Sequence, residues 1–510
     1  MKSLKVVGFV STFGWSRKYL LPLLLLSTLP LSAQAQFNYV TNDGTITITG
    51  YTGPGGDVTI PDTINGLAVT IIGDFAFTGR SLTSVTIPDS VTVIGEQAFN
   101  TCRSLTNVTM GNGLTNIGLQ AFAACTSLRN VAIPDSLVSI GDGAFLDCRS
   151  LTSAEIPKSV TIIQEYAFGG CNGLTNITVD PLNPAYSSVD GVLFDKNQTT
   201  LIQYPGATTV GSYVIPDSVT NIVGFAFDVA TNLTTVTIPK SVTSFEYPWF
   251  FDCYSLTNIS VDSLNSVYSS VDGVLFDKSQ STLIEYPPAK PGSYVIPNSV
   301  GSLGVLAFGN CGRLISVTIP TSVINIGSSA FIGCVSLTTV TIPNSVATIE
   351  HYTFEYCSNL TSVTIPASVT IIGDSAFAFC GQLAAVYFQG DAPEIDYYPW
   401  TMFQGDTNVV YYLPGTTGWG ATFGERPTAL WALPYPQTLT TAPSFGVQTN
   451  QFGFMISWAT NLSVVVEAST ALAHPVWVPL STNALVNGWS YFSDPAWTNY
   501  PARFYRIRSL

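Results

Sequence analysis

Leucine recurs at a fixed interval of 23 residues through most of this chain: Leu82, Leu105, Leu128, Leu151 and Leu174, then Leu233 and Leu256, then Leu314, Leu337, Leu360 and Leu383. Self-similarity at such a period marks a stacked repeat and constrains the fold more than any local propensity. With the leucine as position zero, the unit from Leu82 to Ser104 reads LTSVTIPDSVTVIGEQAFNTCRS. Leu at zero, Val at +3 and Ile at +5 point inward from a short strand, and Pro at +6 (Pro88, Pro134, Pro157) cannot donate to a ladder and ends it. Ser at +8 (Ser90, Ser136) suits a hydrogen bond to the turn backbone of the next coil. Apolar +9 and +12 and the Ala-Phe pair at +16 and +17 place a short helical turn on the opposite side. One unit cannot bury its own apolar edge, so the coils must stack into a continuous core.

The cysteines keep the same phase. Cys102, Cys125, Cys148, Cys171, Cys253, Cys311, Cys334, Cys357 and Cys380 each lie three residues before a repeat leucine. A column at constant phase reads as a small buried hydrophobe used repeatedly, with bridging between adjacent coils as the alternative. No CxxC pair or Cys/His cluster suggests zinc.

Two long units break the period. Leu174 to Leu233 spans 59 residues and Leu256 to Leu314 spans 58, and their inserts match: YSSVDGVLFDK from Tyr186 and again from Tyr268. Asp190-Gly191 and Asp272-Gly273, flanked by apolar residues, read as hairpin turns. Hairpins near 180–213 and 262–294 are therefore expected to project from the rod and to offer aromatic side chains to a ligand.

Residues 1–35 read as a secretory signal, with Lys2, Lys5, Arg17 and Lys18 before the apolar run from Tyr19 to Leu31 and Ala33-Gln34-Ala35 as the cleavage site. No transmembrane stretch is expected after its removal, and the mature chain is expected outside the cell or at its surface. Residues 36–81 read as a capping hairpin and first repeat, 82–389 as the solenoid, 390–431 as a C-terminal cap, 432–444 as a Pro-containing linker and 445–510 as a small β-module.

Only 10% of residues are charged, and the net charge of −14 with no basic stripe excludes a nucleic-acid partner. No GxSxG, HExxH, phosphate-binding loop or GxGxxG occurs, so no catalytic residue, cofactor or metal is expected. The two histidines, His351 and His474, read as a solvated turn residue and a loop residue. Outward strand positions are filled by Ser, Thr and Asn, with Glu155 the one acid at +4, too few for the paired carboxylates of glycoside hydrolysis.

The unit LxxVxIPxSVxxIGxxAFxxC, with its VDGVLF inserts, resembles the BspA-type leucine-rich repeat family of bacterial and protist surface proteins over about residues 45–390. The resemblance implies a curved β-rich leucine-rich repeat solenoid and a role in protein binding or adhesion, with no catalytic residues to carry over. The expected architecture is thus 23-residue units of one short strand and one short helical turn, followed by a small all-β domain. The expected partner is an extracellular protein or polysaccharide, met by the strand face and by Tyr186, Phe194, Tyr204, Tyr268, Phe276, Tyr286, Tyr247, Trp249, Tyr398 and Trp400. A carbohydrate-active protein and a structural envelope component are the alternatives.

Overall fold

The computed structural model describes residues 36–247, 249–396, 398–431, 436–439, 445–458 and 462–509. The leader read at 1–35 and most of the linker read at 432–444 lie outside them. The repeat leucines open parallel strands that build one long wall. Gly56–Thr59, Leu82–Thr86, Asn107–Thr109, Asn130–Val131, Ser153–Ile156 and Asn176–Val179 form its first sheet. The wall resumes as Ser212–Val214, Thr235–Ile238 and Asn258–Val261, and again from Gly292–Val295 to Arg426–Leu430.

Each unit carries a second strand that the sequence did not reveal. Val93–Ile94, Asn116–Ile117, Ser139–Ile140 and Ile162–Ile163 pair in parallel as a second wall facing the first. No helical turn follows them. Among the described residues the one helical element with more than a single residue is the 3-10 turn Trp497–Asn499. The Ala-Phe segment is a chain of tight turns instead. Asn100 N bonds Gln97 O at 3.0 Å and Cys102 N bonds Phe99 O at 3.2 Å, while the amides of Gln97, Phe99 and Thr101 reach carbonyls of the next coil at 2.7–2.8 Å. Alternate amides thus point along the stack, which an α-helix with its i−4 pattern forbids. Gln97 and Thr101 accordingly adopt left-handed φ of 50° and 58°.

The interior follows from this phase. Leu82, Val85, Ile87, Val91, Ile94, Ala98, Phe99 and Cys102 are all buried within one unit. The phenylalanines stack face to face along the axis: Phe99, Phe122 and Phe145 have centroids 5.1 and 5.5 Å apart and nearly parallel rings. Ser136, Ser345 and Ser368 donate to carbonyls of the preceding coil, not the next one, at 2.5–2.6 Å. In these units the side chain at +8 leans back over the turn already laid down, whereas the hydroxyls of Ser159, Ser241 and Ser322 at the same position are buried without a hydrogen-bond partner.

The inserts do not project. Tyr186–Val189 and Val192–Asp195 form an antiparallel hairpin, and the second strand pairs with Thr200–Gln203, which joins the second wall beside Asn221–Ile222. The hairpin tip reaches the first wall, where Ile177 N bonds Gly191 O at 2.9 Å and Val179 N bonds Ser188 Oγ at 3.0 Å. It therefore lies crosswise between two blocks of coils. Leu193 packs into the N-terminal core cluster, whereas Val192 and Phe194 pack into the middle one. The second hairpin repeats the arrangement, with Leu275 in the middle cluster and Val274 and Phe276 in the C-terminal one. A strand buried on both faces carries a continuous apolar run, here Val-Leu-Phe. Asn183 fixes the entry to the first partition: its amide donates to Pro157 O and Val160 O, and its Oδ1 accepts from the amides of Ala185 and Tyr186, all at 2.8 Å.

Beyond Leu383 the first wall continues through Ala385–Phe388, Val409–Tyr412 and Arg426–Leu430. The C-terminal segment is a pair of small sheets around Phe454, Ile456, Val464, Val466, Leu485 and Phe492. One of its strands, Gln437–Leu439, falls in the stretch read as a linker and pairs with Met455–Ser457. The linker reading is corrected there, because prolines at 434, 436 and 443 flank this short strand without interrupting it. Leu439 and Met455 also pack against Leu413 and Trp431, so the small sheets cover part of the solenoid's last coil.

Candidate recognition surfaces

The ten aromatic residues singled out from the sequence separate into three groups. Phe194, Phe276, Tyr204, Tyr286 and Tyr268 are buried, because the hairpins and the strands after them are internal. The loop-borne aromatic surface expected from them is not formed, since these five rings lie inside the core. Burial pushes the Tyr204 phenol up to about 12. Tyr186 and Trp249 are half-buried. Tyr186 Oη accepts the amide of Ile163 at 2.7 Å, and Trp249 is wedged against Phe245 and Tyr268. Tyr247, Tyr398 and Trp400 are exposed, and the last two face each other with centroids 4.9 Å apart.

The outer face of the first wall is set by strand register. Ser84, Asn107, Asn130, Ser153 and Asn176 are direct cross-strand partners and form one straight column. Asn107 and Asn130 are exposed, with Asn130 Oδ1 accepting from Thr152 Oγ1 at 3.3 Å. In the neighbouring column the threonine hydroxyls are spent on the stack: Thr106, Thr152 and Thr175 each donate to the carbonyl one coil back at 2.9–3.3 Å. The groups of the first column left to face solvent are foremost the side-chain amides of Asn107 and Asn130, since Ser84 Oγ is bonded to Asp57 and the tip of the first hairpin lies against Asn176.

Two carboxylates lie on the wall. Asp57 accepts from Thr83 Oγ1 at 2.6 Å and Ser84 Oγ at 2.7 Å, and these bonds hold its carboxyl below the usual range. Glu155 sits four strands further along. At about 4.8 Å per strand they are roughly 19 Å apart, well beyond the separation that lets two carboxylates work on one glycosidic bond. Several acids elsewhere hold the coils together. Asp195 accepts the amides of Thr199 and Thr200, and Asp228 accepts the amide of Gly170 at 2.9 Å, stitching two coils across the first insert. Burial pushes Asp228 up to about 6 and Glu285 well above the carboxylate range. Among the described residues no group of three His, Cys, Asp or Glu side chains is placed to hold a metal ion. His351 Nδ1 accepts the amide of Asp374 at 2.9 Å and Nε2 lies 3.6 Å from Asp396, which links the imidazole to neighbouring coils.

A cavity of ≈ 430 Å³ opens beside the second wall at the first insert, lined among others by Ile163, Tyr166, Ala167, Tyr186, Phe225 and Tyr247. Sequence reasoning missed it. Its one signal was the +16 residue, Ala167 before the first insert and Trp249 before the second.

A model of the BspA type leucine rich repeat region matches this chain in six copies, over residues 70–197, 205–288 and 290–408. Among solved structures, a leucine-rich cell surface protein from Faecalibacterium prausnitzii is 32% identical, with 74% of this chain and 93% of that one covered and a TM-score of 0.47. A leucine-rich repeat protein from Eubacterium ventriosum is 24% identical over 68% of this chain and 92% of that one, with a TM-score of 0.44. The pneumococcal vaccine antigen PcpA is 19% identical over 78% and 98%, with a TM-score of 0.38. No curated protein matches the chain.

Proposed function

This chain belongs to the BspA-type leucine-rich repeat family, and from that premise we propose that it is an exported, non-enzymatic recognition protein that binds an extracellular protein or polysaccharide along its first wall. The observation that carries this reading is the in-register column Ser84, Asn107, Asn130, Ser153 and Asn176. Amide and hydroxyl groups repeated at the strand spacing offer donors and acceptors together, without the desolvation cost of charges. A rigid row of them loses little conformational freedom on binding. No helix among the described residues is long and apolar enough to cross a membrane. Export rests on the leader read at 1–35.

The test is capture by the immobilised full chain from a panel of purified envelope polysaccharides and extracellular proteins. Asn107→Lys combined with Asn130→Lys places two cations on the column at solvated positions and should weaken capture at least about tenfold. Equal capture by this variant contradicts the wall reading, and sugar release from the polysaccharides contradicts the non-enzymatic one. The exposed pair Tyr398 and Trp400 favours a second reading, stacking on a saccharide ring. Loss of polysaccharide capture in Trp400→Ala, with Asn107→Lys and Asn130→Lys silent, would mark it.

A further inference from the structure

The chain carries the same insert twice, so the second copy is an internal template for the first. Before the second insert, Trp249 lies against Phe245 with centroids 4.3 Å apart and against Tyr268 at 5.7 Å, edge-to-face in both cases. The repeat phase puts Ile163 where Phe245 stands, Ala167 where Trp249 stands and Tyr186 where Tyr268 stands. Ile163, Ala167 and Tyr186 all line the ≈ 430 Å³ cavity. The volume that an indole occupies in one copy is open in the other.

The remainder of the lining says what fits. Tyr166 and Phe225 form one side, edge-to-face with centroids 4.7 Å apart, which leaves ring surface for a third aromatic group. The size falls within the roughly 300–1,000 Å³ of sites that take small groups. Glu165 and Glu246 line it at exposed positions, and no lysine or arginine does. Asp195 also contributes, but its carboxylate is engaged by Thr199 and Thr200. The rim therefore repels anions and attracts cations, at a range set by the ionic strength.

We propose that this cavity binds the aromatic side chain, above all tryptophan, of a peptide segment with basic flanking residues, the ring taking the position of Trp249 and the cations meeting Glu165 and Glu246. Asn107 and Asn130 lie on the other wall, so this site and the column stand or fall separately.

The probe is the blocked tripeptide Lys-Trp-Lys, titrated calorimetrically into the full chain. Saturable single-site binding is expected, at least about tenfold weaker for Glu-Trp-Glu and absent for Lys-Ala-Lys. Ala167→Trp copies the second insert and should abolish binding with melting temperature maintained. Should that variant fail to fold, Glu165→Gln with Glu246→Gln alters only exposed rim positions and should remove the salt dependence and weaken Lys-Trp-Lys severalfold. Undiminished binding to a folded Ala167→Trp variant overturns the proposal, as does equal affinity for all three peptides. Displacement of Lys-Trp-Lys by methyl glucoside at comparable concentration overturns it in favour of a sugar site.

Discussion

The Cys125 thiol donates to the carbonyl oxygen of Phe99 in the preceding coil, 3.2 Å away. Every cysteine makes the equivalent bond, from Cys102 to Phe77 O at 3.1 Å to Cys380 to Phe354 O at 3.1 Å, with the longest from Cys311 to Tyr286 O at 3.4 Å. All nine thiols are buried and free. A weak S–H donor adds a second hydrogen bond to a carbonyl that already closes the turn of its own coil, as Phe99 O does with Cys102 N at 3.2 Å, and so ties that turn to the next coil. That is why the column keeps its phase through inserts that break the period. Burial pushes the Cys102 thiol up to about 11 and raises those of Cys125, Cys148 and Cys171 well above the usual thiol range, so the reactive thiolate is suppressed at these positions.

Alkylation followed by intact mass should therefore find no labelled cysteine in the native chain and nine after unfolding without reductant. Fewer than nine in the unfolded chain would show disulfides and contradict the ladder.

The turns of each coil place non-glycine residues in left-handed backbone, Ala124 at φ 56° among them, while Gly170 and Gly333 occupy the same position in other units. Ala124→Gly should leave stability unchanged or raise it by up to about 1 kcal/mol, because relief of the left-handed Cβ clash offsets the entropy of glycine. Ala123→Gly, at a buried neighbour without that conformation, should lose about 1 kcal/mol. Equal losses in thermal unfolding would refute the turn geometry.

The repeat leucines, the buried +3, +5 and +17 columns and the cysteine phase were legible in the sequence because each recurs at one interval. So was the β character of residues 445–510, where the strands Gln451–Ser457, Ser463–Ser469, Val478–Ala484, Trp489–Asp494 and Phe504–Ser509 lie. The second wall was not legible, since a two-residue strand such as Val93–Ile94 shows no alternation to detect. The turns passed for a helix because Gln97 and Thr101 carry no sequence mark of left-handed φ. Asp190-Gly191 does form a turn, as expected, yet only the fold shows that its tip docks on Ile177 and Asn176, where a Cβ on Gly191 would come within 2.6 Å of Asn176 Oδ1.

Internal and external aromatics should separate cleanly on substitution. Phe276→Ala empties a position buried in the C-terminal cluster and should cost about 3–5 kcal/mol. Trp400→Ala, at an exposed site, should stay within about 0.5 kcal/mol. A Phe276→Ala chain of full stability, measured by denaturant unfolding, would return the inserts to the surface.

Two buried carboxylates oppose folding once ionised. Asp228 is pushed from an ordinary 3.8 up to about 6 by burial, and burial also raises Glu285 well above the carboxylate range, where the first insert carries the neutral Gln203. The folded chain holds these protons more tightly than the unfolded one, so this penalty is absent below about pH 4 and complete above about pH 6 for Asp228. Asp228→Asn should gain up to about 3 kcal/mol over the parent at pH 8, shrinking to nothing at pH 4. Glu285→Gln should gain in the same direction. A stability difference independent of pH would contradict both assignments.

The two hairpins are partitions inside the stack and not loops on its surface. Hydrogen exchange of the full native chain, resolved at the amides of Leu193, Phe194, Leu275 and Phe276, tests it most directly. Protection equal to that of the coil around Phe99 is the expected result. Exchange at the rate of an open surface hairpin, with that coil still protected, would contradict it.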